Sequence, residues 1–286
     1  MFKRPGVGSG RVSLLVALGG LLLASSLPAA VVGQFSGNNP GSIWAGSGNF
    51  STIYGAALAS GHGHTIETPE QITAQSLANN SHFIISNPVG GVSEINALIN
   101  WVNGGGILML FVDGQSSGSS IGLVNSILSA FGPGASGNSL QVSTSQLLDP
   151  SITFQLTAAA LAGSDAAVGN LAGFSISMFN PLGVSGGSSL AINLLGSALR
   201  VDSFNLGKIY VFGDNFASNQ NLGNIGFGNP GMTNQQFFLN LLAQGSNGNG
   251  GGGGSGGGGD APEPGTIGVI TAGLAALAWR ARKRVR

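Results

Sequence analysis

An apolar run at residues 107–112 that follows an amphipathic helix constrains the fold more than any other feature. Residues 95–102 carry apolar side chains at the spacing of one helix face, and Gly104 ends that helix. A second apolar run at residues 82–86 precedes the helix, and a further amphipathic pattern follows at residues 121–131. Unbroken apolar runs of this length are typical of strands covered on both faces. Such alternation predicts right-handed crossovers and a mainly parallel sheet.

Weaker patterns extend this alternation in both directions. Thr68 and Pro69 fit the start of a helix, as does Ser93 before the helix at residues 95–102. Residues 132–205 are short apolar runs broken by Gly, Ser and Asn, and we predict strands and loops there. The remaining predicted elements are strands at residues 42–45, 64–67 and 208–213, and helices at residues 50–60, 69–78 and 234–242.

The amino-terminal end has the layout of an export signal. Basic side chains occur within the first eleven residues, and an apolar stretch follows at residues 12–24. Small residues come next, at Ala29, Ala30 and Gly33. This order is that of a secretory signal peptide, and we predict one at residues 1–33.

The carboxyl-terminal end has a second targeting layout. The triplet Pro262, Glu263, Pro264 precedes fifteen uncharged residues at 265–279. That length is short of the roughly 20 residues of a full helical span, so lasting anchorage by this helix alone is not expected. Basic residues close to a membrane segment stay on the cytoplasmic side, which would put the body outside. The basic residues of the tail are Arg280, Arg282, Lys283, Arg284 and Arg286.

This tail, residues 260–286, resembles the PEP-CTERM sorting signal of Gram-negative bacteria. The resemblance implies that the inner membrane holds the tail transiently and that an exosortase-type protease cuts it. The protein would then be destined for the cell surface or the extracellular space. Signals of this type also occur on proteins described as ice-binding, but no regular Thr-rich repeat here supports an ice-binding face. The alternative is a permanent single-pass anchor.

A glycine-rich segment at residues 245–259 separates this tail from the body of the chain. A Gly/Ser chain of that length behaves as a flexible coil with an end-to-end distance of roughly 20 Å. The predicted body, residues 34–244, is long enough for one domain with a substantial core.

The charge of the body limits its partners. Between residues 34 and 259 there are two basic and eight acidic residues, a net charge of −6, although the whole chain is neutral. An acidic body without a basic stripe argues against nucleic acid as a partner. The chain has no cysteine, which excludes disulfides, a thiolate nucleophile and a thiolate metal site. The uncharged Ser/Asn/Gly-rich surface suits an extracellular polysaccharide matrix such as a biofilm.

The body also resembles class I glutamine-amidotransferase-like domains. The resemblance is carried by residues 82–113, with Asn87-Pro88, and by residues 208–216 with the closing helix. It implies a flavodoxin-like parallel sheet flanked by helices. Catalytic members place a cysteine after the strand that matches residues 107–112, whereas this chain has Asp113 there. Amidotransferase activity is therefore excluded.

Two other kinds of active site fit the sequence less well. Ser116 lies in a G-x-S-x-G pattern between a predicted strand and helix, the setting of a nucleophile elbow. A serine needs a base, and His62, His64 and His82 all fall near the opposite, amino edge of the predicted sheet. His62 and His64 with Glu67 are more typical of a polar strand entry than of a metal site. We therefore predict no catalytic residue, no cofactor and no metal site.

The candidate ligand site comes from topology. In open α/β sheets, ligands bind outside the carboxyl ends of the strands. Asn87, Asp113 and Asp214 each directly follow a predicted strand. If those strands are neighbours, the two carboxylates and the amide form a crevice suited to calcium or to sugar hydroxyls. The alternative is that all three are ordinary turn residues bonded to their own backbone.

The sequence therefore predicts a non-enzymatic, exported protein of the cell surface or extracellular matrix, sorted by an exosortase-type system. One alternative is a module that binds polysaccharide or calcium at the carboxyl edge of the sheet. A second alternative is a degenerate serine hydrolase. The predicted partners are the processing protease, the inner membrane and extracellular polysaccharide.

Overall fold

A computed structural model describes residues 30–35, 50–62, 72–89, 92–113, 118–147, 152–157, 165–216, 218 and 230–245. The predicted strands at residues 42–45 and 64–67 lie outside this part of the chain, as do Ser116, His64 and the sorting tail. Within the described ranges, no helix is long and apolar enough to cross a membrane, and the predicted membrane segment at residues 265–279 lies outside them.

The body is built on an eight-stranded mixed sheet with the order β1-β2-β3-β10-β9-β8-β5-β6, and β4 and β7 form a separate two-stranded sheet. The strands are β1 (Val32–Gln34), β2 (His82–Ser86), β3 (Ile107–Phe111), β4 (Gln141–Gln146), β5 (Ile152–Leu156), β6 (Ser175–Met178), β7 (Leu182–Ser185), β8 (Ser188–Asn193), β9 (Gly196–Phe204) and β10 (Gly207–Phe212). Strands β1, β2, β3 and β10 run parallel to one another, and every later pairing in the large sheet is antiparallel.

Helices cover both faces of the parallel half. They are α1 (Ser51–Ala59), α2 (Ala74–Ala78), α3 (Ile95–Asn103), α4 (Gly118–Phe131) and α5 (Pro230–Leu242). Side chains alternate between the faces of a strand, so Ile84 joins a core cluster with α1 and α5, whereas Phe83 and Ile85 join one with α2, α3 and α4. This double cover explains why β2 and β3 are apolar at nearly every position.

The prediction of a mainly parallel, flavodoxin-like sheet is wrong. It holds only for the parallel half, because residues 132–206 add four antiparallel strands to the large sheet. Two-residue turns join β8 to β9, at Leu194 and Leu195, and β9 to β10, at Asn205 and Leu206. Turns this short join only antiparallel neighbours. Asn205 supports its turn by adopting a positive φ of 53°.

Two predicted helix starts are also wrong. Ser93 does not cap α3, whose N-cap residue is Glu94 without a side-chain cap bond. The helix predicted at residues 69–78 is described only from Ala74, and Thr73 is its N-cap. Thr73 Oγ1 accepts a hydrogen bond from the N–H of Ser76, whose Oγ accepts one from the N–H of Thr73. This reciprocal capping box fixes the start of the helix.

Asparagine side chains close two strand edges of the fold. Asn234 of α5 accepts from the N–H of Ser177 in β6 (3.0 Å) and donates to its carbonyl (2.8 Å). Asn125 of α4 bonds the N–H and the carbonyl of Val142 in β4 in the same way, at 2.8 and 2.9 Å. Each amide thus takes the place of a neighbouring strand. An open edge would be a template for pairing with another chain.

Candidate functional site

The carboxyl edge of the parallel half brings the three predicted crevice residues to one side of the sheet. Strands β2, β3 and β10 are adjacent, with His82, Ile107 and Lys208 in register. Asn87, Asp113 and Asp214 therefore leave their strands at the same edge.

Asn87 ties the ends of β2 and β3 together. Its N–H donates to the carbonyl of Phe111 (2.9 Å), and its Oδ1 accepts from the N–H of Asp113 (2.8 Å). Its φ of 45° lies in the left-handed region, which asparagine tolerates better than most residues. The side chain is buried. Asn87 thus shapes the loop that presents Asp113.

The sequence did not indicate Ser86 and Asn215, which complete this cluster. Asn215 donates from Nδ2 to Asp113 Oδ2 (3.3 Å) and accepts at Oδ1 from the hydroxyl of Ser86 (3.1 Å). Both Ser86 and Asn215 are buried, whereas Asp113 is partly exposed. We call Ser86, Asn87, Asp113 and Asn215 the edge cluster. Adjacency to Asp214 was the one available signal for Asn215.

Asp214 has a different contact. Its Oδ2 accepts a hydrogen bond from the N–H of Phe179 (2.8 Å), the residue after β6, and its side chain is buried. Together with the bonds of Asn234 to Ser177, this contact satisfies backbone groups at the outer edge of β6 and directly after it. The structure therefore assigns Asp214 a role in holding the edge of the sheet.

Among the residues that the structure describes, no three His, Cys, Asp or Glu side chains lie close enough together to hold a metal ion. His64 and Glu67, which the metal interpretation would need beside His62, lie outside the described residues.

His82 lies at the amino end of β2 and is completely buried. Its Nε2 is 3.1 Å from the carbonyl of Leu241 at the end of α5, so Nε2 carries the proton. Its Nδ1 then accepts from the hydroxyl of Ser81 (2.8 Å). Desolvation by burial lowers the pKa of His82 to about 4. This histidine is thus a packed structural group.

A polar cluster at the opposite, amino edge holds the end of α5. Lys208 Nζ lies 2.7 Å from Asp165 Oδ2, and the hydroxyl of Tyr210 donates to Asp165 (2.7 Å). Gln244 donates from Nε2 to the Tyr210 oxygen (2.8 Å). Burial, and then the charge of Asp165, raise the pKa of Tyr210 well above its ordinary value, so the phenol stays protonated. Gln244 directly precedes the glycine-rich segment, and this cluster fixes the point where the linker leaves the body.

The tail matches a known family model. Residues 260–283 match the PEP-CTERM protein-sorting motif. The motif supports export, membrane anchoring through the carboxyl terminus and processing by an exosortase, which is a membrane protease. The match covers the tail alone and does not extend into the body.

Similarity to solved structures concerns the fold of the body. The mmIFT52 N-terminal domain is 14% identical with a TM-score of 0.52, over 75% of this chain and 98% of that one. A cytoplasmic protein of Salmonella typhimurium, STM3548, is 11% identical with a TM-score of 0.48, over 74% and 97%. The exo-β-1,4-mannosidase Op5Man5 of Opitutaceae bacterium strain TAV5 is 14% identical with a TM-score of 0.42, over 80% of this chain and 37% of that one. No curated protein matches significantly.

The mmIFT52 N-terminal domain, which has the highest TM-score of these three, is mostly β-sheet, and it does not support the resemblance to glutamine-amidotransferase-like domains. The antiparallel half of the sheet explains the difference. The motifs behind the resemblance come only from the parallel strands β2, β3 and β10 and the segments next to them.

Proposed function

We propose that this protein is a non-enzymatic component of the cell surface or extracellular matrix, delivered there after an exosortase-type protease removes its tail. The observation that carries the proposal is the PEP-CTERM motif at residues 260–283, separated from the body by a glycine-rich linker. A coil of roughly 20 Å gives a membrane protease access to the motif without unfolding the body.

The burial and the hydrogen bonding of the polar residues support a non-enzymatic body. A general base must reach the proton that it removes, and its pKa works best near the ambient pH. His82 is enclosed between Ser81 and Leu241, with a pKa of about 4. Asp214 is bonded to the backbone after β6. These groups stabilise the fold and are poorly placed to react with a substrate.

Replacing Pro262, Glu263 and Pro264 with alanine tests the proposed sorting. In the native bacterium, fractions are probed with antibody to the body. The wild-type protein should appear outside the cell as a species shortened at its carboxyl end, because the protease recognises the triplet. The variant should accumulate at full carboxyl-terminal length in the inner membrane.

The matched control places three alanines at residues 256–258, in the glycine-rich segment ahead of the motif. It should be processed like wild type. Full-length wild-type protein that stays in the inner membrane would contradict the proposal and indicate a permanent tail anchor.

A second candidate function is glycan binding at the edge cluster. The favouring observation is that Asp113 is partly exposed while Asn87 and Asn215 hold its backbone and carboxylate. One carboxylate beside two amides suits sugar hydroxyls. Calcium takes six to eight oxygen ligands, and it is the weaker match because Asp214 is bonded to Phe179.

Asp113→Ala and Asp214→Ala separate binding from stability. If the cluster binds glycan, Asp113→Ala should weaken binding to the host's extracellular polysaccharide at least tenfold, and it should lower the urea midpoint less than Asp214→Ala does, because Asp113 is partly exposed. Asp214→Ala should lower the free energy of unfolding by about 2 kcal/mol, because the N–H of Phe179 loses the charged oxygen to which it donates. Calorimetry and urea titration measure the two effects. Absence of binding by wild type to that polysaccharide and to Ca²⁺ would exclude this candidate.

A further inference from the structure

The first strand of the sheet overlaps the predicted signal peptide. Val32 and Gly33 belong to β1, which pairs in parallel with β2 through Val32 opposite His82 and Gly33 opposite Phe83. The side chains of Ala30 and Val32 are each only 2% exposed and belong to the core cluster that includes α1 and α5. The folded body therefore begins at or before Ala30.

Backbone contacts fix the residue before β1 as well. The N–H of Val31 donates to the hydroxyl of Ser81 (2.9 Å), and its carbonyl accepts from the N–H groups of Ser81 (2.9 Å) and His82 (3.1 Å). A cut after Gly33 would remove these bonds. It would also turn β2, an apolar strand with both faces buried, into an open sheet edge.

Gly33 is small for a structural reason. A Cβ at this position would lie 2.5 Å from the Asn80 side chain and 2.9 Å from the ring of Phe83. Asn80 is itself buried and donates to the carbonyl of Ser76 (2.7 Å), so it has little room to move. Close packing therefore explains the glycine at position 33. Gly33 is no longer evidence of a cleavage site.

We propose that signal peptidase cuts at or before the bond between Ala29 and Ala30, so that β1 remains in the mature protein. The inference rests on the proposed export. The favoured bond joins Ser26 to Leu27, since Ala24 and Ser26 form a small-x-small pattern after the apolar stretch. Hydrolysis there adds one water and leaves a carboxyl group on Ser26 and an α-amino group on Leu27. The new charged amine is then five residues ahead of Val32 in the chain, so that β1 does not have to bury it.

Amino-terminal sequencing and intact mass of the exported protein from the native bacterium test the inference. We expect Leu27 as the first residue, and any start from Leu27 to Ala30 supports the retention of β1. A start at Val31 or later, or an uncleaved leader, would overturn it. The carboxyl-terminal end of the same molecules reports on exosortase processing separately, so the two proposals can fail independently.

Gly33→Ala and Gly55→Ala in the full chain provide a second test. Signal peptidase accepts alanine where it accepts glycine. If Gly33 served only as part of a cleavage site, Gly33→Ala would therefore leave the stability of the folded protein unchanged. If Gly33 is packed within β1, Gly33→Ala should lower the Tm of the exported protein by about 4 °C or more. Gly55 lies in α1, where an added Cβ meets no atom within 4 Å, and Gly55→Ala should keep or raise the Tm. Equal Tm values for Gly33→Ala and wild type would contradict the inference.

Discussion

At the scale of single residues, His82 links two parts of the chain that lie 159 residues apart. It joins the start of β2 to the last turn of α5 through its bond to Leu241. Its imidazole is buried in the neutral form, with a pKa lowered from 6.5 to about 4. Between those two pH values the unfolded chain binds a proton that the folded protein does not.

This difference predicts an acid-sensitive stability. The contribution of His82 is fully present above pH 6.5 and is lost as the pH falls toward 4, a total of about 3 kcal/mol. Urea unfolding at pH 7.5, 5.5 and 4.5 measures it. His82→Gln, which can still bond both Ser81 and Leu241, should show a smaller fall in the free energy of unfolding over this range.

His62→Gln is the control. His62 is only partly buried, and its pKa is lowered by desolvation alone. It should keep most of the pH dependence of wild type. Identical pH dependence in wild type and His82→Gln would show that other groups cause the acid sensitivity.

At the scale of elements, the two strand edges closed by asparagine belong to a body with very few charges. Natural sheets usually protect their edges with lysine or other charged side chains. Here the body has only two basic residues, and Lys208 is paired with Asp165. Asn125 and Asn234 instead bond both backbone groups of one edge residue each.

Asn234→Ala should therefore destabilise the protein and promote its self-association. The N–H and carbonyl of Ser177 and the carbonyl of Phe216 all lose a partner in a buried site, at a cost of about 3 kcal/mol. Urea titration measures the loss, and light scattering after size-exclusion chromatography measures the self-association.

Gln236→Ala on the exposed side of α5 is the matched control. It removes one bond to Asn240 and should change the free energy of unfolding by about 0.5 kcal/mol or less. If Asn234→Ala remains monomeric and as stable as this control, the amide has no role in closing the edge.

Prediction from local patterns succeeded for those strands and helices that are determined by their own residues. The strands at residues 82–86 and 107–111 and the helix that ends at Gly104 were predicted within one or two residues. Helix starts were less predictable, because several polar residues can act as caps. The N-cap of α2 is Thr73, which forms a capping box with Ser76, and the predicted N-cap was Thr68. The N-cap of α3 is Glu94, which makes no side-chain cap bond, and the predicted N-cap was Ser93.

At the scale of the whole molecule, the antiparallel half was missed because its strands are individually weak. β6, with residues 175–178, and β8, with residues 188–193, each contain two serines and no apolar run longer than three residues. Their order along the sheet arises from pairing between segments that are distant in the chain. The two-residue turn at Asn205 and Leu206, which joins β9 to β10, was not predicted either.

The residues of the candidate site could be predicted only in part, again because some of their contacts join distant segments. The rule that ligands bind at carboxyl ends of strands selected Asn87, Asp113 and Asp214, and adjacency of β2, β3 and β10 places them at one edge. The rule could not tell that Asp214 bonds the backbone after β6 or that Asn215 and Ser86 join Asp113. Side-chain direction at a strand end depends on the neighbouring strands.

The sequence by itself determined the targeting tail, the glycine-rich segment, the acidic and cysteine-free body, and the strands β2, β3 and β10 of the parallel half. These follow from composition, short motifs and periodicity, which are local properties. Only the tertiary structure decided the mixed sheet, the asparagine-closed edges, the burial of His82 and the place of β1 in the body. Each of these depends on contacts between distant segments. The apolar pattern of a segment shows which of its faces are buried, but it does not show which other segment buries them.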